Sequence, residues 1–340
     1  MSKDLLSQTM NDMHIVVYDM SEDMEADTIQ TESELVDEFQ RKLEQLETPV
    51  GRDLNLVLQL CTITTLDLSK INITKITVMN NLFGGCTMLI SVNLSGWDTS
   101  NVTDMSCLFA LCIKLKFVNL NGWNFSNVTN ISCMFEGCRS LTFIDVSDWD
   151  VSNVTDMSRM FMGCLSLNSI DVSCWNTSKV RDMSHMFNEC KRVKSINVSN
   201  WDVSNVTDMS YMFYKCESQV CMFVSRWNTS NVTNMRYMFA HCVNLKALML
   251  SRWNVSNVIY MSHMFADCKA LEKIDLSGWD TSSVWSMTAI LNHCSNLKTI
   301  NITGWDISNH RLMNCLLDSW SCPHFNLSGW DTHLNTIWIP

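Results

Sequence analysis

The sequence predicts an α/β solenoid of about ten to eleven coils, each a strand, a turn and a helix of 26 residues in total, with a parallel β-sheet on one face. Three observations predict it: tryptophan and cysteine each recur with a constant step of 26 residues, and the apolar spacing within each repeat changes from two residues to three or four. The tryptophans of this series are Trp97, Trp123, Trp149, Trp175, Trp201, Trp227, Trp253, Trp279 and Trp305. The cysteines are Cys86, Cys112, Cys138, Cys164, Cys190, Cys216, Cys242, Cys268 and Cys294.

The first half of each repeat predicts a short strand. In the copy that runs from Leu141 to Trp149, Ile144 and Val146 are two residues apart and therefore share one face, while Asp145 takes the other. Strands of successive coils would lie about 4.8 Å apart, which predicts a parallel sheet along one side of the solenoid.

The second half predicts a helix of two or three turns. Met157, Met160, Phe161 and Cys164 are spaced i, i+3, i+4 and i+7, which places them on one helical face. Thr155 or Asp156 would cap its N-terminus. The Asp or Asn that follows each tryptophan would accept a hydrogen bond from the backbone two residues on and so form a tight corner.

A strand and two helical turns cannot bury their own apolar face, so stacked copies would cover one another. The periodic cysteines then point into the core one per coil, and we interpret them as buried thiols; a zinc site needs four converging ligands, and no such spacing is present. Cys107 and Cys133 fall at an outward position of the predicted helix and are the better candidates for oxidation.

The N-terminal residues 1–50 form an acidic segment with thirteen acidic and three basic residues. Within it, residues 31–47 predict a helix that caps the array, with a capping box from Thr31 to Glu34. The alternative is an acidic arm that binds a partner. The run MHIVVYDM at 13–20 is compatible with a short strand.

The solenoid is expected to extend over 51–332, and its last copies are irregular. The tail at 333–340 would fold over the last coil, and the alternative is self-association through this C-terminal end.

Beyond residue 50 the chain carries 22 acidic and 21 basic residues and is nearly neutral, which argues against a nucleic-acid partner. It shows no signal peptide, membrane span or lipidation motif, so we expect an intracellular protein that does not insert into a membrane. No phosphate-binding loop, metal-ligand spacing or nucleophile motif is present, so neither a cofactor nor an enzymatic activity is expected.

With this register established, the chain resembles the BspA-like leucine-rich-repeat family, whose 26-residue repeat occurs in bacterial surface proteins. The matching W-D-[TV]-S-N-V-T-D-M-S-x-M-F-x-x-C runs lie at 97–115, 149–167 and 201–216, and the resemblance covers about residues 61–332. It implies a leucine-rich-repeat-type solenoid that works in adhesion or protein–protein contact, usually on a cell surface.

One region of the predicted strand face stands out as a binding surface. The outward residue at the centre of each strand is Asp or Asn in most coils, but Phe223 and Met249 replace it in two consecutive coils. An exposed aromatic ring and a methionine beside basic residues are typical of a protein contact. The same coils also carry Val220, Cys221, Ala247, Lys246, Arg226 and Arg252. The alternative is a repeat copy that has decayed, and Phe117 with Phe143 makes a second apolar pair.

The sequence therefore predicts a non-catalytic scaffold that binds another protein through its sheet face, with Phe223, Met249, Arg226, Arg252 and Lys246 as the binding patch. The alternative is a surface adhesin that is exported by a route the sequence does not reveal.

Overall fold

The described part of the chain is a parallel β-solenoid of about nine turns. The strand interpretation of 13–20, the coils beyond residue 305 and the tail at 333–340 lie outside the described residues. The predicted ten to eleven coils include segments of that outer part. The computed structural model describes residues 31–46, 51, 53–55, 62–250 and 252–305.

Three-residue strands form two parallel sheets, each of three strands in sequence order. Equivalent residues of neighbouring coils pair in register, as Leu66 does with Val92 and Leu248 with Ile274. In most of these strands the middle residue is buried and its neighbours are exposed, the period of two that the sequence predicts. The strands are β1 (Thr65–Asp67), β2 (Ser91–Asn93), β3 (Phe117–Asn119), β4 (Ala247–Met249), β5 (Lys273–Asp275) and β6 (Thr299–Asn301).

The single continuous sheet that the sequence predicts is divided in two. Between β3 and β4, Ile144 and Val146 are buried and Asp145 is exposed, so the alternation persists where regular strand pairing does not. A second ladder compensates for this gap. It consists of one parallel bridge per coil step and runs from Val78 to Ser286 on another side of the coil.

The helix expected in each coil is absent from the described coils, and a pair of tight turns takes its place. In the copy at 157–164, Arg159 has φ +57° and Gly163 has φ +73°, left-handed values that an α-helix excludes. Met160 N–H donates to Met157 O at 3.3 Å, and Cys164 N–H donates to Phe161 O at 3.1 Å. Other N–H groups of the segment donate to the next coil, such as Arg159 to Ser184 O at 2.8 Å and Phe161 to Met186 O at 2.9 Å.

The inward residues of this segment are nevertheless those that the sequence indicated. Met157, Met160, Phe161 and Cys164 are fully buried. Two consecutive turns, each with its third residue in the left-handed region, return the chain to the same side every three or four residues, as a helix would. The burial pattern was correct and the secondary structure inferred from it was wrong.

An amphipathic helix packs against the first coils. Helix α1 (Glu32–Gln45) has the capping box expected from Thr31 and Glu34. On its buried face the ring of Phe39 stacks on Trp97, with centroids 6.5 Å apart. Residues 51 and 53–55 are also helical, and Asn55 Nδ2 donates to Leu82 O and Gly84 O at 3.0 Å.

Columns of identical side chains form the core. The rings of Trp175 and Trp201 stack with centroids 6.1 Å apart, and those of Phe161 and Phe187 stack at 5.8 Å. Because each coil supplies the wall for the next, the outward residues are free to carry function.

Candidate binding surface

The outward Asp or Asn of each strand holds the turn that follows it. Asp145 Oδ1 accepts a hydrogen bond from Ser147 N–H at 3.1 Å, and Asp171 Oδ1 accepts one from Ser173 N–H at 3.0 Å. Hydrogen bonds from these serines also lower the pKa of both carboxyl groups. The column is therefore a structural ladder, and Asn93 serves equally well by accepting from Ser95 N–H at 3.2 Å.

Phe223 and Met249 interrupt this ladder and cannot accept such a bond. Their side chains are 67% and 71% exposed, the highest fractions among the large exposed apolar residues of the described chain. Cys221 pairs with Ala247, which places Phe223 directly beside Met249 on the neighbouring coil. The exposure of Val220 at 47% extends the apolar area.

Basic side chains flank the two apolar residues. Arg226 and Arg252 lie at equivalent positions in the turns after the strands, and Lys246 precedes β4; all three are exposed. Lys194 occupies the position equivalent to Val220 one coil earlier and is also exposed. The strand-face segments 194–200, 220–226 and 246–252 contain no acidic residue. The ion pairs found in the described part of the chain do not involve these four cations. We refer to Phe223, Met249, Arg226, Arg252 and Lys246 as the strand-face patch.

A second apolar pair lies on the same face nearer the N-terminal end. Phe117 is 65% exposed and Phe143 on the next coil is 58% exposed. Phe117 borders a depression of about 380 Å³ that is also lined by Glu32 of α1 and by outward residues of β1, β2 and β3.

Sequence reasoning missed a column of four rings on the turn side of the solenoid. His185, Tyr211, Tyr237 and His263 occupy one position in successive coils and stack with centroids 4.5, 4.6 and 4.5 Å apart. Burial, with the nearby positive charge of Arg159, lowers the pKa of His185 to about 4, so its ring is neutral at pH 7. The signal was available, because both histidines share this register with the two tyrosines.

Sequence reasoning also missed an exposed pair on a third side. Trp285 is 57% exposed, and Ile259, at the equivalent position one coil earlier, is 39% exposed. This position is Thr in most other coils. Tyr260 meets the Trp285 ring edge-on at 6.0 Å, and the Arg236 guanidinium lies 3.9 Å from the centroid of the Tyr260 ring.

The periodic cysteines are buried free thiols, as predicted. From Cys112 to Cys294, the Sγ of each periodic cysteine donates to a backbone carbonyl of the preceding coil, such as Cys190 to Phe161 O at 3.2 Å and Cys242 to Phe213 O at 3.1 Å. Burial raises the pKa of the Cys242 thiol to about 12. These cysteines are therefore structural and protonated.

The expectation that Cys107 and Cys133 are the outward, oxidisable pair is corrected. Cys133 is buried and Cys107 is only partly exposed, because their turn positions are not the outer face of a helix. Contact with the Cys107 thiol, together with burial, raises the pKa of Cys133. The exposed thiols of the described chain are Cys174 and Cys221.

One carboxyl group, that of Glu136, lies inside the described part of the solenoid. Its side chain is 2% exposed, neither oxygen has a hydrogen-bond partner of normal geometry, and burial raises its pKa despite the adjacent Cys133 thiol and Arg159.

Among the described residues no three metal-ligating side chains converge, and no helix there has the length and apolarity to cross a membrane.

The coil geometry and the outward columns define a repeat protein of the β-solenoid class. The chain belongs to the family described as "Mycoplasma protein of unknown function, DUF285", whose model matches residues 52–144, 141–220 and 218–330. No curated protein matches the chain.

Solved leucine-rich-repeat structures show a weak similarity. The T. pallidum leucine-rich-repeat protein has a TM-score of 0.32 at 18% identity, over 62% of this chain and 79% of its own. A leucine-rich-repeat protein of Leptospira interrogans has a TM-score of 0.31 at 13% identity, over 85% and 77%. For the TLR13–ssRNA13 complex the TM-score is 0.33 at 12% identity over 81% of this chain, which spans only 38% of that one. At these TM-scores the similarities carry no argument, and the fold class rests on the coil geometry.

Proposed function

We propose that this protein is a non-catalytic repeat scaffold that binds another protein through its strand face, at the strand-face patch. The observation that carries the proposal is the consecutive replacement of two ladder residues by Phe223 and Met249. Each replacement forgoes a hydrogen bond that orders the next turn and exposes an apolar side chain to water. Two such losses side by side are accounted for if a partner covers both side chains.

The chemistry of the flank specifies the kind of partner. The segments 194–200, 220–226 and 246–252 carry four cations and no acid, and the following coil places Glu272 near Lys246 and Asp275 beside Met249. The excess of positive charge on these three segments favours a protein segment that carries acidic residues beside apolar ones. Charge complementarity of this kind increases the rate of association, and the apolar pair supplies the contact that slows dissociation.

The resemblance to the BspA-like family supports this proposal, since it implies contact with other proteins, and adhesion is the form that such contact would take outside the cell. The assignment to that family by name remains part of the proposal.

A decayed repeat is the competing explanation, and one observation favours it. Gln219 occupies an inward position that is Leu or Val in neighbouring coils, and its Oε1 is buried without a hydrogen-bond partner. However, Met222, Val224 and Trp227 of the same coil remain buried, so its core is otherwise retained.

The test is affinity capture from the source organism's lysate with the full chain and with the Phe223→Asp/Met249→Asp variant. Asp occupies this ladder position in several other coils, so we expect the free energy of unfolding of the variant to lie within about 0.5 kcal/mol of the wild-type value. We also expect the variant to lose the partner. The matched control is Phe117→Asp/Phe143→Asp, which removes an equally exposed pair four coils away and should retain the partner. Capture of the same proteins by all three chains would contradict the proposal, and a large loss of stability would show that Phe223 and Met249 belong to the core.

A further inference from the structure

We infer that Cys107, Cys133 and Glu136 form a thiol–disulfide exchange site on the turn side of the solenoid, whose substrate is a small soluble disulfide. The reaction joins Cys107 to Cys133 by a disulfide bond between adjacent coils, and a small thiol reverses it. The inference rests on the contact of the two thiols with each other and with a buried carboxyl group, and not on the outward position that the sequence indicated for them. It is independent of the proposed function, because the strand-face patch takes no part in it.

The first argument is the alignment of the two thiols. Cys107 and Cys133 occupy the same position in adjacent coils, and their φ angles of +55° and +57° direct both side chains alike. A parallel bridge pairs the two backbones three residues earlier, and Cys107 N–H donates to Ser132 O at 2.8 Å. Backbones paired in this way lie about 4.8 Å apart, within the Cα separation of about 4.4 to 6.8 Å that a disulfide bond requires. The thiols are also in contact, so the bond forms between groups that already adjoin.

The second argument is the carboxyl group beside the buried thiol. Glu136 follows Cys133 by three residues in the same turn, and its backbone N–H donates to Cys133 O at 3.0 Å. Its side chain is 2% exposed, and neither carboxyl oxygen has a hydrogen-bond partner of normal geometry. A buried carboxyl group without partners is costly, which indicates a role beyond packing. Because the Cys133 thiol lies against this carboxyl group, Glu136 is placed to accept the thiol proton.

The third argument is the contrast with the periodic cysteines, which have the same spacing between coils. The side chains of Cys112 and Cys138 are fully buried, and their thiols donate to backbone carbonyls at 3.0 and 3.1 Å. Cys107 is partly exposed, so a dissolved disulfide can reach it. Of these two pairs, the one that contains Cys107 therefore combines access from solvent with a thiol in contact with a carboxyl group.

The exchange consists of two displacements. The Cys107 thiol loses its proton to water, and its thiolate attacks one sulfur of the substrate; a mixed disulfide forms, and the first substrate thiolate leaves and takes up a proton from water. The Cys133 thiol then gives its proton to the Glu136 carboxylate, and its sulfur attacks Cys107 Sγ. The internal disulfide forms, and the second substrate thiolate leaves and takes up the proton from Glu136. In total two protein thiols are oxidised to one disulfide, and one substrate disulfide is reduced to two thiols.

The test exposes the reduced, folded full chain to glutathione disulfide at neutral pH. The remaining thiols are trapped with N-ethylmaleimide in denaturant, and the peptides are analysed by mass spectrometry without reduction. We expect a pair of peptides linked through Cys107 and Cys133. Cys174 and Cys221 are exposed and should carry glutathione, which shows that the reagent reaches thiols of the folded chain.

The periodic cysteines provide the internal control. Cys112 and Cys138 should remain reduced, although their spacing is the same. An equal yield of a link between these two would show that oxidation follows spacing or unfolding alone, and would overturn the inference. The same conclusion would follow if the link between Cys107 and Cys133 were absent from a chain whose exposed thiols carry glutathione. Both outcomes are measured in the unsubstituted chain, so they do not depend on the folding of a variant.

Two substitutions separate the displacements. Cys133→Ser should stop the reaction at the mixed disulfide, with glutathione on Cys107. Glu136→Gln preserves the size of the side chain and removes the base, so we expect the mixed disulfide to form at the wild-type rate. Its conversion to the internal disulfide should be about 100-fold slower, the lower end of what a general base contributes. An unchanged rate of conversion, or an equal slowing of both displacements, would contradict the role of the Glu136 carboxyl group.

Discussion

Each tryptophan of the repeat contributes to the coil before it as well as to its own. Trp201 Nε1 donates to Val172 O at 2.9 Å, and its ring stacks on the ring of Trp175. The Val172 carbonyl otherwise accepts only a longer bond, from Trp175 N–H at 3.3 Å. The indole is thus selected both for its area and for its single donor, which reaches a buried carbonyl.

We therefore expect Trp201→Phe to lower the free energy of unfolding by about 1–3 kcal/mol, because the substitution removes the hydrogen bond and part of the buried ring. Urea denaturation followed by circular dichroism measures this change. Trp285→Phe is the matched control: that indole is more than half exposed, and we expect a change within about 0.5 kcal/mol. Equal effects at the two positions would contradict the assigned role of Trp201.

At the level of single residues, the corner after each tryptophan was predicted correctly. Asp98, Asp150 and Asp202 accept from Ser100, Ser152 and Ser204 N–H at 3.0, 3.1 and 3.0 Å. The same local bond occurs at two further points of the coil. One is the predicted helix cap, where Asp156 accepts from Ser158 N–H at 2.8 Å. The other is the outward ladder, where Asp145 accepts from Ser147 N–H. An Asp followed two residues later by Ser serves a turn and a helix cap equally well, so this pattern alone could not decide between them.

The turn segment shows why the element itself was mispredicted. A spacing of i, i+3, i+4 and i+7 places residues on one side in a helix and also in two consecutive turns. The distinguishing signal is the residue four places after Arg159, which is Gly in three coils, namely at Gly85, Gly137 and Gly163. Glycine repeated at one position indicates a left-handed φ, but Leu111 and His293 adopt the same conformation and obscure the pattern.

The exchange of a left-handed residue for glycine separates the two descriptions experimentally. His293 is exposed and has φ +59°. A non-glycine residue in that region costs about 1–2 kcal/mol, so we expect His293→Gly to leave stability unchanged or to raise it by about 1 kcal/mol after the added flexibility of the unfolded chain is counted. Chemical denaturation of the full chain measures the change.

The neighbouring residue provides the control. Asn292 is not among the residues with positive φ, so Asn292→Gly gains no conformational relief and should destabilise the chain by up to about 1 kcal/mol. If the segment were helical, both substitutions would destabilise by a similar amount. A stability loss for His293→Gly as large as that for Asn292→Gly would contradict the turn assignment.

The candidate site could be predicted from the sequence only where the exposure of a side chain depends on its own strand and not on contacts between coils. The exposure of Phe223 and Met249 follows from the period of two along a strand, and the structure places both side chains outward. The ring column from His185 to His263 was missed because residues of adjacent coils stack only when the turn conformation aligns them, and a helix would have directed them differently. Contacts between coils depend on the backbone that connects them, and a single repeat does not contain that information.

On the scale of the whole molecule, the coils are joined by many equivalent bonds in place of one central core. The bridge ladder from Val78 to Ser286 continues through the coils in which strand pairing lapses, and the buried cysteines add one bond per coil. In such an array a property repeated in every coil is multiplied along the chain. The protonation state of the cysteine column is a property of this kind.

The cysteine column makes the fold sensitive to alkaline pH. Burial raises the pKa of Cys242 to about 12, and it also raises the pKa of Cys138, Cys164, Cys216 and Cys268. An unfolded thiol ionises near pH 8.5 to 9, so above that pH the unfolded chain holds fewer protons than the folded chain. Stability is then fully present below about pH 8.5 and falls as the pH rises toward about 12.

The contribution of one thiol can be isolated by Cys242→Ala. Tyrosine and lysine also titrate in this range, so the variant must be compared with the wild type. For each chain, urea denaturation with a reductant present measures how far the free energy of unfolding falls from pH 8 to pH 10, and the informative quantity is the difference between the two falls. We expect the wild type to lose about 1.4 kcal/mol more than the variant, because each pH unit between the two pKa values corresponds to that amount for one group. Cys174→Ala is the matched control: that thiol is exposed, so its removal should leave the pH dependence unchanged. Identical losses in wild type and Cys242→Ala would mean that the buried thiol ionises as readily as an exposed one, and the cysteine column would then play no part in the alkaline sensitivity of the fold.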